Sequence, residues 1–320
     1  MQPSPGVDPA SIPVSEPDFA LEPDGFVVVV ESGDRIHFLD WGGPAVGGAG
    51  IVAVHGLSQT GWAWAPVARR LAGTAGTRRV VTMDLRGHGL SDAPTDDGAY
   101  DLAVLASDVV AVAEGSGVLV PGDHGPGVVL AGHGFGAIVA ANAAVDLGDR
   151  CAGLVLVDGG WESMEASTGI DVDEFLRGID EPPEVMRSLT AYLRDRARFD
   201  PETWDDDQDR AARATVVETH AGRVVPATRP HALEASVRAM FTYDPVATLP
   251  AVAAPVVALV AGDDDSGSRA SALRSISAAR VGAGGTPIQT LSFGHDGHNL
   301  MRYRAREVAG AIASVGARRT

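Results

Sequence analysis

Short apolar runs rich in β-branched residues recur along the chain, with longer helical patterns between them. Runs of this length without polar alternation are typical of strands buried on both faces of a parallel sheet. The strand runs are Ile51 to Val54, Val80 to Met83, Val128 to Ala131, Leu154 to Val157, Val256 to Val260 and Ile288 to Leu291. The amphipathic helical patterns are Trp62 to Leu71, Leu102 to Ala113, Ala137 to Val145, Ala270 to Ala279 and Glu307 to Ala313. This alternation predicts an α/β fold with one mostly parallel sheet and helices on both of its faces.

Three segments depart from the alternation. The segment from Met1 to Asp24 is rich in proline and has no periodicity, so we expect residues 1–24 to form a disordered N-terminal arm. Phe26 to Glu31 and Arg35 to Trp41 are separated by a short turn and predict a β-hairpin. Strand patterns are missing from 161–240, where helical fragments predominate. We therefore expect an α/β core made of residues 25–160 and 241–320, with a helical cap inserted at 161–240.

Charge and composition exclude several classes of function. The formal net charge of -17 disfavours binding to nucleic acids and to anionic membranes, because both need clustered basic residues. All 25 basic residues are arginine, which indicates a GC-rich bacterial coding sequence. We expect a cytoplasmic protein, since no signal-peptide pattern, no long apolar run and only one cysteine, Cys151, occur.

Short motifs follow the predicted strands and carry the candidate chemistry. They are His55-Gly56-Leu57-Ser58, Asp84-Leu85-Arg86-Gly87-His88-Gly89-Leu90-Ser91-Asp92, Gly132-His133-Gly134-Phe135-Gly136, Gly262-Asp263-Asp264-Asp265 and Gly297-His298-Asn299-Leu300-Met301-Arg302-Tyr303. Their order and context resemble the lid-bearing members of the α/β-hydrolase superfamily, from about Gly25 to the end of the chain. The resemblance implies an α/β-hydrolase fold with a mostly parallel eight-stranded sheet and an inserted helical cap.

The central residue of the third motif determines the possible mechanisms. The family pattern G-x-S-x-G places a nucleophilic serine on a sharp strand-to-helix turn, and here Gly134 stands at that position. Glycine adopts the strained turn easily but supplies no nucleophile. Epoxide hydrolases and dehalogenases of this fold use a carboxylate there, which Gly134 also does not offer. Ser58 and Ser91 are weak alternative nucleophiles on neighbouring loops, and we interpret His133 as structural.

The resemblance also assigns the remaining site residues. The backbone N–H groups of Leu57 and Phe135 are the expected oxyanion donors. Asp265 is the expected acid, with Asp158 at the end of its own strand as the alternative and Asp263 and Asp264 as solvated neighbours. His298 is the expected catalytic histidine, preferred over His295 because it follows a glycine just before the final helix.

No cofactor or metal is expected. His295, Asp296 and His298 are of ligand types, but they share one loop with no matching distant ligand. The predicted partner is a small-molecule substrate that is apolar or weakly polar. Its candidate pocket residues flank or lie within the cap and are Trp161, Met164, Leu193, Phe241 and Tyr243. The oligomeric state is left open.

Three functional hypotheses follow from Gly134. In the first, His298 and Asp265 activate a water molecule for direct hydrolysis, or take a proton from the substrate in elimination, cyclisation or decarboxylation. In the second, the protein binds a small apolar ligand and has no catalytic activity. In the third, the natural protein carries serine at position 134 and the glycine inactivates a serine hydrolase of the esterase type.

Overall fold

The computed structural model describes residues 13–43, 48–74, 79–96, 98–119, 125–179, 188–262 and 267–316. The strands of the described part are β1 (Asp24–Val29), β2 (Arg35–Asp40), β3 (Gly50–Val54), β4 (Val80–Met83), β5 (Val128–His133), β6 (Cys151–Val157), β7 (Val216–Glu218), β8 (Val224–Pro226), β9 (Val256–Ala261) and β10 (Gln289–Phe293). Eight of them form one sheet in the order β1-β2-β4-β3-β5-β6-β9-β10. β1 and β2 are antiparallel to their neighbours, and the pairs from β4 to β10 are parallel.

Helices cover both faces of this sheet, as the alternating pattern predicts. The helices of the core are α1 (Ala65–Ala72), α2 (Leu102–Gly115), α3 (Phe135–Leu147), α10 (Ser268–Gly282), α11 (Leu300–Tyr303) and α12 (Ala305–Gly316). One apolar cluster joins the sheet to α2, α3 and α10, and the other joins it to α1, α11 and α12. The expected α/β-hydrolase fold, with its mostly parallel eight-stranded sheet, is therefore confirmed.

The register of the central strands brings several loops to one edge of the sheet. Val54 at the end of β3 pairs with Gly132 on β5, and His133 pairs with Val157 at the end of β6. Val157 in turn pairs with Leu259 on β9. Because parallel strands end at the same edge, the loops that follow β3, β5, β6 and β9 emerge side by side.

The segment between β6 and β9 lies outside the main sheet. It contains α4 (Met164–Thr168), α5 (Val172–Ile179), α6 (Leu189–Phe199), α7 (Asp206–Ala214), α8 (Pro230–Phe241) and α9 (Pro245–Ala251). It also contains the short antiparallel hairpin of β7 and β8, which the sequence pattern does not predict. The boundaries 161–240 remain our proposal for the cap.

The N-terminal segment from residue 13 packs against the core. The hydroxyl of Ser15 donates to the carbonyl of Gly73 over 2.7 Å, and Arg69 donates to the carbonyl of Asp18 over 3.2 Å. Leu21 packs against the apolar cluster that contains α1. The expectation of a disordered arm is therefore wrong for residues 13–24, because contacts to α1 fix the segment and residue 24 begins β1. Residues 1–12 lie outside the described residues.

None of the helices found in the described residues is long and apolar enough to span a bilayer. In the same residues, no group of three or more histidine, cysteine or acidic side chains is arranged to hold a metal ion.

Candidate active site

The turn between β5 and α3 has the strained geometry that the third motif predicts. Gly134 adopts φ 53° and ψ -115°, a left-handed conformation that side chains other than glycine rarely accept. Its N–H donates to the carbonyl of Val157 over 3.1 Å, which ties the turn to β6. A Cβ on Gly136 would lie 2.3 Å from the carbonyl oxygen of Val54, so only glycine lets the turn approach β3 this closely.

His298 lies on the loop between β10 and α11 and faces this turn. Its Nδ1 is 2.5 Å from Oδ2 of Asp158, the residue that directly follows β6. An ionised carboxylate only accepts hydrogen bonds, so Nδ1 of His298 is the donor in this contact and Nε2 is the ring nitrogen left to face the cavity. The side chain of Asp158 is 6% exposed and that of His298 is 61% exposed. The pair therefore consists of a buried acid and an imidazole that is accessible from the cavity.

Three donors hold the carboxylate of Asp158 in its charged form. Besides His298, the N–H of Ala261 donates to Oδ1 over 2.9 Å, and the guanidinium of Arg269 bonds the same oxygen. Burial alone would raise the pKa of Asp158, but these hydrogen bonds outweigh it and lower the pKa below its usual range.

The expected acid Asp265 lies outside the described residues. The acid in contact with His298 is Asp158, the alternative that the sequence leaves open. His298 lines the cavity described below, and His295 does not.

The two expected oxyanion donors lie at the same cavity. The N–H of Phe135 belongs to the first turn of α3, where an α-helix leaves its N–H groups without an internal acceptor. Leu57 lies in the loop after β3, which is closed by a hydrogen bond from the N–H of Gln59 to the carbonyl of Gly56 over 3.1 Å. Within the described part of the chain, the N–H of Leu57 has no protein acceptor. Both groups are therefore available to a bound oxygen.

A cavity of about 710 Å³ contains these groups. Its walls come from the loops after β3, β5, β6 and β10, from the start of α10, and from the segment between β6 and β9. The residues that line it include Leu57, Gln59, His133, Gly134, Phe135, Asp158, Trp161, Glu162, Met164, Arg269 and His298.

The structure brings only part of the predicted pocket set together. Trp161 and Met164 line the cavity. Leu193 is buried in α6, and Phe241 makes an edge-to-face contact with Phe175, with 5.6 Å between the ring centres. Neither is among the described residues that line the cavity. Tyr243 is also buried, and its hydroxyl donates to the carbonyl of Gly160 over 2.8 Å. These three side chains therefore contribute to packing around the site rather than to its wall.

His133 and Gln59 contact two of the loops that form the site. The Nε2 of His133 lies 3.1 Å from the carbonyl of His298, and its Nδ1 lies 3.0 Å from Oε1 of Gln59. The same Gln59 oxygen accepts the N–H of Gly56 over 3.0 Å. Burial, helped by the nearby His298, lowers the pKa of His133 to about 3, so its ring stays neutral. A neutral imidazole has one N–H and donates to only one of these two oxygens at a time, so the ring lies between the His298 loop and the loop after β3 in a structural role.

Sequence reasoning missed two members of the site. Gln59 and Arg269 lie next to recognised motifs but belong to no pattern by themselves, so no signal in the chain points to them. Their role follows only from the fold, which brings Arg269 to the end of β6.

The match with known proteins agrees with this geometry. A model of the alpha/beta hydrolase family matches residues 51–311 of the chain, which include every motif described above. The chain belongs to the α/β hydrolase family.

Two relatives within the family show how far the likeness extends. The chain is 34% identical to epoxide hydrolase B of Mycobacterium tuberculosis over 123 residues, which are 38% of this chain and only 32% of that protein. It is 30% identical to a protein that carries the name carbamate hydrolase RutD, from Variovorax paradoxus, over 69% of this chain and 76% of that protein. Both names are those of hydrolases, which supports an enzyme of this superfamily.

Solved structures share the fold. E-2-(acetamidomethylene)succinate hydrolase superposes with a TM-score of 0.69 at 20% identity, over 91% of this chain and 97% of that one. The thioesterase domain from the curacin biosynthetic pathway superposes with a TM-score of 0.70 at 19% identity, over 91% and 99%. At these identities the likeness establishes the architecture alone.

Proposed function

We propose that the protein is a hydrolase of small organic substrates in which His298, held by Asp158, activates water without a covalent intermediate. The supporting observation is the spatial relation between position 134 and the imidazole. A Cβ on Gly134 would lie 3.2 Å from Nε2 of His298, so the space beside Gly134 faces the nitrogen that has a lone pair. A water bound there can donate a proton to Nε2.

The chemical step balances without a protein nucleophile. The water oxygen attacks the carbonyl carbon while its proton passes to Nε2 of His298, and Asp158 stabilises the resulting imidazolium. The N–H groups of Leu57 and Phe135 bind the oxyanion of the tetrahedral intermediate. The imidazolium then protonates the leaving group as the bond to it breaks, which restores the neutral ring.

The cavity and the relatives support a proposal for the class of substrate. Leu57 and Met164, which line the cavity and are partly exposed, supply apolar surface that suits a small, weakly polar molecule with a carbonyl group. Carbamates, and the chemically related esters and amides, are the first compounds to test, since one relative carries the name carbamate hydrolase. The same imidazole could instead take a proton from carbon, and a product formed without uptake of water would identify that route.

A second candidate is an inactivated serine hydrolase. It is favoured by the elbow, because φ 53° and ψ -115° at Gly134 are the strained conformation in which this family presents its nucleophile. A serine codon at position 134 of the natural gene would establish this candidate directly.

Steady-state hydrolysis of small p-nitrophenyl esters and aryl carbamates tests the main proposal. We expect turnover by the unmodified chain and its loss in His298→Ala. His295→Ala is the matched control, since His295 is an exposed histidine of the same loop outside the cavity. Full activity in His298→Ala would contradict the proposal. Tight binding of these compounds without any turnover would favour a ligand-binding role.

A further inference from the structure

The carboxylate of Asp158 is shared between two cationic or potentially cationic side chains. Its Oδ2 faces Nδ1 of His298 at 2.5 Å, whereas its Oδ1 accepts the N–H of Ala261 and bonds Nη2 of Arg269. Each oxygen therefore has its own set of donors. Rotation of the carboxylate would break contacts on both sides at once.

Arg269 is itself held in place on the start of α10. Its Nη1 donates to the carbonyl of Ala261 over 2.6 Å, and its Nε lies 3.7 Å from Oε2 of Glu162. The guanidinium carbon lies 5.3 Å from the ring centre of Trp161, a side chain only 1% exposed. Salt bridge, backbone hydrogen bond and cation–π contact together restrict the arginine to one orientation.

We propose that Arg269 is a positioning residue that locks the Asp158 carboxylate so that Oδ2 stays directed at His298. The proposal rests on the proposed function for the role of His298 as the base. The side chains of Arg269 and Asp158 are 26% and 6% exposed, so water competes weakly for this contact. Without the arginine, one oxygen of a buried carboxylate would lose its charged partner, which favours a different rotamer or protonation.

The geometry requires an arginine, and another cation would not replace it. One guanidinium reaches both Oδ1 of Asp158 and the carbonyl of Ala261 with separate nitrogens. A lysine ammonium is a single point charge and does not reproduce this planar fork. Arg269→Lys therefore keeps the positive charge but loses the planar arrangement of donors, whereas Arg269→Gln removes the charge.

The test uses the tautomer of the His298 ring, read from its ¹⁵N chemical shifts at pH 8 and assigned with His298→Ala. We expect the proton on Nδ1 in the unmodified chain, because Asp158 accepts it. Arg269→Gln should shift the ring towards the Nε2–H tautomer, and Arg269→Lys should give an intermediate mixture. Arg274→Gln, an exposed arginine of the same helix, should leave the signals unchanged.

The same variants separate this proposal from the proposed function. A folded Arg269→Gln protein with the unmodified tautomer pattern would overturn the positioning role. If Arg269→Gln does not fold, Arg269→Lys decides by the same signals. A tautomer that depends on Arg269 in a protein whose turnover survives His298→Ala would support the positioning role and contradict the proposed function. Where turnover depends on His298, Arg269→Gln should lower kcat about tenfold or more with little change in KM.

Discussion

Gly134 lies directly beside the imidazole of His298, with an ideal Cβ at position 134 only 3.2 Å from Nε2. The contact is tight for a Cβ, but the histidine side chain is 61% exposed and can move by the few tenths of an ångström required. The space beside Gly134 can therefore accommodate a serine side chain, although φ 53° imposes backbone strain on any residue other than glycine, and the hydroxyl would lie within hydrogen-bonding reach of the general base.

Gly134→Ser should convert the protein into a serine hydrolase. The new hydroxyl gains His298 as its base and Leu57 and Phe135 as oxyanion donors, so turnover of a small p-nitrophenyl ester should rise by about 10²-fold or more, with an initial burst. Gly134→Ala, which adds the Cβ without the oxygen, should show no such gain. Equal rates for the two variants would mean that the elbow is not aligned with the histidine.

Asp158, rather than Asp265, should be the acid that supports His298. Asp158→Asn keeps the shape of the side chain but removes the charge that stabilises an imidazolium, so kcat/KM should fall by about 10²–10⁴-fold. Asp265→Asn is the comparison, and we expect a fall of less than about tenfold. A larger loss in Asp265→Asn than in Asp158→Asn would restore the assignment that the sequence motif favours.

Buried histidines should make the protein sensitive to mild acid. Burial lowers the pKa of His88 to about 3, below the 6.5 of a free histidine, so the unfolded chain takes up a proton that the folded chain excludes. Stability present above pH 6.5 is therefore lost as the pH falls towards 3, by about 1.4 kcal/mol per pH unit for each such histidine. His55 and His133 have pKa values shifted in the same direction.

Urea unfolding between pH 5.5 and pH 4 measures this effect. His88→Gln should reduce the slope of unfolding free energy against pH by about 1.4 kcal/mol per unit, whatever it does to stability at neutral pH. His220→Gln, at an exposed histidine between β7 and β8, is the comparison variant for the loss of a histidine. An unaltered slope in His88→Gln would show that this ring is protonated in the folded state.

A buried ion pair should stabilise the packing of α7, in the segment between β6 and β9, against α1. Nε of Arg69 on α1 lies 3.1 Å from Oδ1 of Asp207 on α7, and both side chains are 3% exposed. Asp207→Ala leaves the arginine without its buried partner and should cost about 3–5 kcal/mol of unfolding free energy. Asp206→Ala, one residue earlier on the exposed side of α7, should cost about 1 kcal/mol or less in the same denaturation experiment.

The main sheet could be predicted because its strands are short, apolar and separated by clear helical patterns. The run Ile51 to Val54 corresponds to β3 at Gly50–Val54, and Val128 to Ala131 lies within β5. The hairpin of β7 and β8 was missed because each strand has only three residues and its pattern is too short to recognise. The sequence does not predict the packing of residues 13–23, because it depends largely on backbone carbonyls that accept hydrogen bonds from Arg69. Amino-acid composition does not encode such contacts.

The candidate site likewise contains residues that the sequence predicts and residues that it does not. Gly134 and His298 could be located because a turn between strand and helix constrains the residues around it. The acid could not be chosen from the sequence, since Asp158 and Asp265 each follow a strand, and it is the tertiary fold that places Asp158 beside His298. Arg269 reaches Asp158 across 111 positions of the chain, so no local pattern could predict this contact.

A pre-steady-state measurement of ester hydrolysis by the unmodified chain, with intact-mass analysis of the protein during turnover, shows whether water or a protein group attacks the substrate. If His298 activates water, p-nitrophenol should appear linearly from the first turnover, without a burst and without any increase in protein mass, and His298→Gln should be inactive. A burst together with an acyl adduct on the unmodified chain would contradict water activation by His298, because it would require a protein nucleophile.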